Sequence, residues 1–222
     1  MQTIGLLGGM SWESSAVYYK LINEGVRSRL GGLHSARIVL WSVEFQDVAD
    51  KQAAGDWRSL LQLMIDGAKA LERAGADMLL ICTNTMHKLA DEVAATVSIP
   101  LVHIADITAA AIKLTPSRRP LLLATRFTME EPFYRGRMLD RHGLDPLRPR
   151  PEDESAVHDI IYRELCRGVV EPASKGSTSR PSSRLRMLSE TTPSSSRSDS
   201  SRFPEVPESL PGVLPAAHSP PR

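Results

Sequence analysis

The sequence predicts an α/β fold, a parallel-sheet sandwich of strands and helices. Three observations predict it. Short apolar runs alternate with longer amphipathic stretches from Met1 to about Val170, glycine or polar turns separate them, and the longer stretches keep apolar residues three and four apart. Such alternation implies parallel strands joined by crossover helices. Ligands of such sheets sit at the carboxyl ends of the strands. The loops to inspect are therefore Gly8–Ser11, Glu44–Gln52, Cys82–His87, His103–Asp106 and Thr125–Thr128.

The elements follow in chain order. Thr3–Leu7 reads as a buried strand and Gly8-Gly9 as a tight turn. Ser11 suits a helix N-cap, and Glu13 suits the positive helix start. The helix runs to about Leu30 with Val17, Leu21, Ile22 and Val26 on one face, and Gly31-Gly32 stops it. Ala36–Val43 is the second strand. Trp57–Ala74 is a helix carrying Leu60, Leu61, Met64, Ile65, Ala68 and Leu71 at helical spacing. Asp77–Cys82 is the third strand, Thr83-Asn84-Thr85 a polar turn and Met86–Thr96 a helix. Leu101–Ile104 and Pro120–Ala124 read as strands. Ala105–Leu114, Glu130–His142 and Asp153–Arg167 read as helices.

Composition narrows the function. The chain has 222 residues, 41% of them hydrophobic, enough for a core over most of its length. With 27 Lys+Arg against 26 Asp+Glu, the net charge of +1 argues against a nucleic-acid partner. No apolar run reaches the ~18–20 residues of a membrane span. The first residues read as a strand and not as a signal peptide. Two cysteines, Cys82 and Cys166, make no disulfide framework, which points to a reducing cytoplasm. After Pro172 the text turns to Ser, Pro and Arg, a composition read as a disordered tail.

Several residues carry chemistry. Gly5-Leu6-Leu7-Gly8-Gly9-Met10-Ser11 is neither a dinucleotide fingerprint nor a Walker loop; it is either an anion cradle at a helix start or a plain tight turn. Cys82-Thr83-Asn84-Thr85-Met86-His87 is sharper. A cysteine at the carboxyl end of a buried strand stands where a nucleophile or base would stand, and the helix after it would favour the thiolate. Thr83, Asn84 and Thr85 could hold a carboxylate; the alternative is a structural cysteine beside a polar cap. Cys166 reads as a core residue of a helix. His103 and Asp106 read as a helix-capping pair or else as a proton relay, with capping favoured, and the scattered histidines give no metal spacing. Thr125 and Thr128 suit an anion, or Thr128 a simple N-cap.

Together, Ile4-Gly5-Leu6-Leu7-Gly8-Gly9-Met10-Ser11-Trp12-Glu13-Ser14, Tyr18-Tyr19, Ile22-Asn23, Cys82–His87 and Tyr134-Arg135 resemble the aspartate/glutamate racemase family, most of all its bacterial broad-specificity amino-acid branch. The resemblance covers about Met1–Ser174. It implies two similar α/β lobes with the site between them: an N-terminal lobe over 1–104, and a second lobe over 105–171 that is incomplete here. It implies racemisation of a small amino acid with no cofactor or metal, by two bases on opposite faces of the α-carbon. In the family both are cysteines, and Cys82 matches the first. The same match makes Met10, Gln52, Thr83, Asn84, Thr85, Thr125 and Thr128 substrate-binding residues, and it is compatible with a homodimer.

The family's second motif, a strand ending Gly-Cys-Thr-Glu, is absent from this sequence. Cys166 comes too early and on the wrong element to replace it. Residues 172–222 therefore read as out-of-frame text from a frameshift near codon 175, or else as a natural tail on a degenerate paralogue. Either way the chain is expected to be inactive as a racemase. The other functions that fit are a maleate- or malonate-type isomerase or decarboxylase, or a non-catalytic remnant.

Overall fold

The first apolar run is the centre of a parallel sheet. Strand β1 (Thr3–Gly8) lies between β2 (Arg37–Ser42) and β3 (Met78–Ile81), in the order β2-β1-β3. The register pairs Leu7 with Trp41 on one side and with Ile81 on the other. The computed structural model describes residues 1–117, 119–172 and 174. The Ser/Pro/Arg-rich segment from residue 175 on, and the frameshift reading attached to it, lie outside the described residues.

Alternation along β1 sends neighbouring residues to opposite faces. Leu7 faces helix α3 (Trp57–Arg73): a Cβ at Gly67 would come within 2.6 Å of the Leu7 side chain. Gly8 faces helix α1 (Trp12–Leu30), where a Cβ would clash with Ser15 Oγ. The main core forms on the α3 face. Leu7, Leu60, Met64, Ala68, Leu71, Leu79 and Ile81 are fully buried there. The α1 face is thinner. Its expected apolar stripe is largely open, with Val17 53% and Leu21 42% exposed, because α1 meets the strand through small Ser15 against Gly8.

A helix that the sequence reading passed over, α2 (Phe45–Ala54), fills the loop after β2. The Glu44 carboxylate caps it by accepting from the Gln46 and Asp47 amides, and Gly55 ends it in a left-handed conformation. After β3 come a 3₁₀ turn (Thr85–Leu89) and the short helix α4 (Ala90–Ala94), where one helix was expected. The expected strand Leu101–Ile104 shrinks to a bridge between Leu79 and Leu101, since His103 already caps helix α5 (Ile104–Lys113). The capping reading of His103 holds.

The expected strand Pro120–Ala124 is likewise only a bridge, Leu121 with Leu147. Pro120 brings no amide to extend it. The expected helix Glu130–His142 is two. Helix α6 (Arg126–Glu130) stops at Glu131, whose extended backbone (φ −84°, ψ 148°) is what a residue before proline prefers. Helix α7 (Pro132–His142) then starts on Pro132 and packs on α5 in a second apolar cluster of Ala105, Ala109, Tyr134, Met138 and Leu144. Helix α8 (Pro151–Arg163) starts two residues before the expected Asp153, with three acidic residues in its first turn. It ends before Cys166, which lies on a separate 3₁₀ turn, Leu165–Arg167.

The close approach at Gly67 is testable. Gly67→Val should destabilise the protein by about 1–3 kcal/mol through overpacking against Leu7 and Trp41. Urea unfolding should show a lower midpoint with an unchanged slope.

Candidate active site

The carboxyl end of β3 is pinned from two sides. Cys82 is the first residue past the strand, and its amide still donates to the Leu7 carbonyl at 2.9 Å. The Cys82 carbonyl accepts from Ser14 Oγ at 3.2 Å. Cys82 is buried, and it forms part of a cavity of about 390 Å³. Burial pushes its thiol pKa up to about 12, so it rests as S–H at neutral pH. The expected helix that would favour a thiolate is not there: a turn and a five-residue 3₁₀ segment follow instead.

His87 fixes the loop that follows. The Ile104 amide donates to His87 Nε2 at 3.2 Å, so Nδ1 carries the proton and donates to the Thr83 carbonyl at 2.7 Å. The ring is buried and stands 4.5 Å from that of His103. Burial holds the His87 pKa down to about 3, with the charges of His103 and Arg137 adding to the effect, and holds the His103 pKa down to about 4, with Arg137 adding to it. Asp106, in the first turn of α5, belongs to another group. It accepts two hydrogen bonds from Arg137 and one from His142, and its carboxyl sits well below the usual range.

Three hydroxyls meet beside this loop. Thr85 Oγ1 is 2.8 Å from Thr125 Oγ1 and 3.4 Å from Thr128 Oγ1. Thr125 occupies the N-cap of α6 and Thr128 lies inside that helix, so Thr128 is not the cap. On the other side, Tyr162 of α8 donates to Gln52 Oε1 at 2.8 Å, and Gln52 Nε2 donates to Met86 Sδ at 3.2 Å. Phe45 stacks on Tyr162, and a chain of ring contacts continues through His158 and Phe127 to Trp57.

The cavity thus gathers Met10, Gln52, Cys82, Thr83, Asn84, Thr85 and Thr125, all singled out in the sequence. Thr128 is fully buried behind them and is not part of its wall. At the Gly8-Gly9 turn the Gly9 amide is already donated to Ser15 Oγ at 2.9 Å.

Sequence reasoning missed other wall residues. Glu13, Tyr18 and Tyr162 line the cavity, and so does Cys166, which had read as a core residue. Cys166 is only half-buried, because α8 unwinds before it and turns it toward α1. Burial raises its thiol pKa, while a hydrogen bond from Ser11 acts in the opposite direction. The break after α8 left no signal in the apolar spacing. The charge on Glu13 was legible only as a suitable residue for a helix start.

Residues 7–185 match the profile of Asp/Glu/hydantoin racemases. The chain belongs to that family. The broad-specificity amino-acid racemase of Bacillus subtilis is 24% identical over 161 residues, 71% of this chain and 69% of that one. A candidate Asp/Glu racemase from Yersinia pestis is 46% identical over 85% of this chain and 82% of its own, with a TM-score of 0.76. An aspartate racemase homologue from Pyrococcus horikoshii is 34% identical over 76% and 74%, with a TM-score of 0.65. These likenesses place the parallel sheet and its helices in the racemase fold. No helix among the described residues is long and apolar enough to cross a membrane.

The histidine anchor gives a signed pH dependence. The folded pKa values of His87 and His103 lie below the ordinary value of 6.5, so their contribution to stability is complete above that pH. It is lost as pH falls from 6.5 toward 4. Thermal unfolding should show Tm dropping across this window. His87→Gln should flatten the drop, because glutamine does not titrate.

Proposed function

We propose that the protein is a cofactor-independent amino-acid racemase by descent, of the aspartate/glutamate type, with Cys82 as the group that moves the α-proton. The observation that carries this reading is a buried thiol on the cavity wall, flanked by the hydroxyls of Thr83, Thr85 and Thr125 and the amide of Asn84. Those polar groups suit an α-carboxylate. The substrate's α-ammonium supplies the positive charge needed to lower the Cys82 pKa. Cys82 then gives its thiol proton to solvent, and the thiolate takes the α-proton: the C–H bond breaks, an S–H bond forms, and the electron pair moves into the carboxylate. Return of a proton from the same sulfur restores the original hand.

Inversion needs a second proton donor on the other face. The family's Gly-Cys-Thr-Glu text is missing from the sequence, so this chain exchanges the proton without inverting the centre. In this reading 1–104 is the lobe that carries Cys82 and 105–171 is a partial second lobe. The enzyme is cytoplasmic, and a homodimer fits. One observation favours a second reading: Cys166 lines the same cavity as Cys82. If it reaches the far face of the α-carbon, inversion survives.

Incubation of the full chain with L- and D-amino acids in D₂O separates these outcomes. Deuterium should enter one enantiomer, and Cys82→Ser should slow this by on the order of 100-fold or more. Inversion by the wild type that disappears in Cys166→Ser would favour the second reading. Absence of exchange in every substrate would leave a remnant that only binds.

A further inference from the structure

The cavity wall is divided between elements. Its carboxylate-binding groups come from Thr83–Thr85 and Thr125, whereas Val17 of α1, Phe45 of α2, Ile161 of α8 and Leu165 of the turn after it supply carbon surface. Alternation along β3 aims the thiol at part of that surface. Leu79 and Ile81 fill the α3 core, so Leu80 and Cys82 turn toward α1. There Cys82 shares the wall with Ser14, Val17 and Tyr18. The carbon surface continues along α1 to Leu21 and Ile22, which with Leu80 line a second pocket that shares Ser14, Val17 and Tyr18 with the first.

The polar side chains among these elements are mostly engaged. The Ser14 hydroxyl reaches the Ser11 and Cys82 carbonyls, Tyr162 donates to Gln52, and Gln52 donates to Met86. Tyr18 adds a ring and a hydroxyl that stays protonated at neutral pH, because burial raises its pKa to about 12. No Lys, Arg or His side chain lines the cavity among the described residues, and its one acidic residue is Glu13. Nothing on this wall pairs with a side-chain carboxylate as an ion.

We infer that this site takes an amino acid with an apolar side chain, of the leucine or methionine class, in preference to a dicarboxylic one. The inference rests on the reading of the cavity as an amino-acid site with Cys82 at the α-carbon. The α-carboxylate lies on Thr83–Thr85, and the side chain lies on Val17, Ile161 and Leu165. Leucine and aspartate make the decisive pair. Both branch at Cγ into two atoms, methyls in one and carboxylate oxygens in the other, so they differ in charge more than in shape. On a carbon wall the methyls gain by leaving water. The oxygens lose their water and find no cation in return. The second carboxylate of a maleate- or malonate-type diacid meets the same penalty.

Binding and proton exchange on the full chain test this separately. L-Leucine and L-methionine should raise Tm more than L-aspartate at the same concentration. In D₂O their α-protons should exchange about tenfold or more faster than that of aspartate. Leu165 and Leu123 line the cavity yet are 46% and 48% exposed, so a charged end can be placed there without opening the core. Leu165→Lys and Leu123→Lys each add a cation to the wall and should lower the leucine-to-aspartate exchange ratio by about tenfold. Leucine stabilisation without exchange would sustain the specificity and remove the Cys82 chemistry. Aspartate equalling leucine in both readouts would overturn the specificity and leave the Cys82 chemistry in place. So would a ratio that neither variant alters. No stabilisation and no exchange with any of the three amino acids would overturn both.

Discussion

The arrangement depends on where β3 ends. The backbone bond from Cys82 to Leu7 extends the sheet one residue past the strand and carries the cysteine into the cavity wall. Ser14 holds its carbonyl from the α1 side, and His87 holds the Thr83 carbonyl from the other. With both carbonyls tied, the side chains of residues 82 to 85 have little freedom to leave the cavity. Close approach at Gly8 and Gly67 brings α1 and α3 onto opposite faces of the sheet and makes this possible.

A single physical contrast runs through the site. Several polar groups in and beside the cavity are already paired: Gln52 with Tyr162 and Met86, Thr85 with Thr125, His87 with Thr83 and Ile104. Pairing makes these groups rigid. Beside them, burial keeps the Cys82 thiol protonated and leaves the Glu13 Oε2 atom without a donor.

Much of this was legible in the sequence, for reasons that differ by residue. β1, α1, β2 and α3 follow from apolar spacing and glycine stops, and the structure reproduces them within a few residues. The Cys82–His87 text and the family resemblance brought Met10, Gln52, Thr85 and Thr125 into view, and all lie on the cavity. The failures have local causes. α2 carries only a weak apolar pattern, and its cap is a glutamate instead of the usual serine or aspartate. The segments at 101–104 and 120–124 have strand composition, but each finds only a single bridge partner. Cys166 sits in helical text yet falls beyond the real helix end. Apolar periodicity also put Val17 and Leu21 on one face of α1, whereas α1 packs through Ser15.

The state of the Cys82 thiol in the empty cavity is the claim on which the chemistry turns. Thiolate absorbance near 240 nm, followed against pH in Cys166→Ser protein and corrected with the Cys82→Ser/Cys166→Ser double variant, measures it directly. The account predicts that no Cys82 thiolate signal appears below about pH 10, with a rise only toward the value of about 12 that burial imposes. A thiolate already formed at pH 8 would contradict it, because Cys82 would then be a base before any substrate arrives.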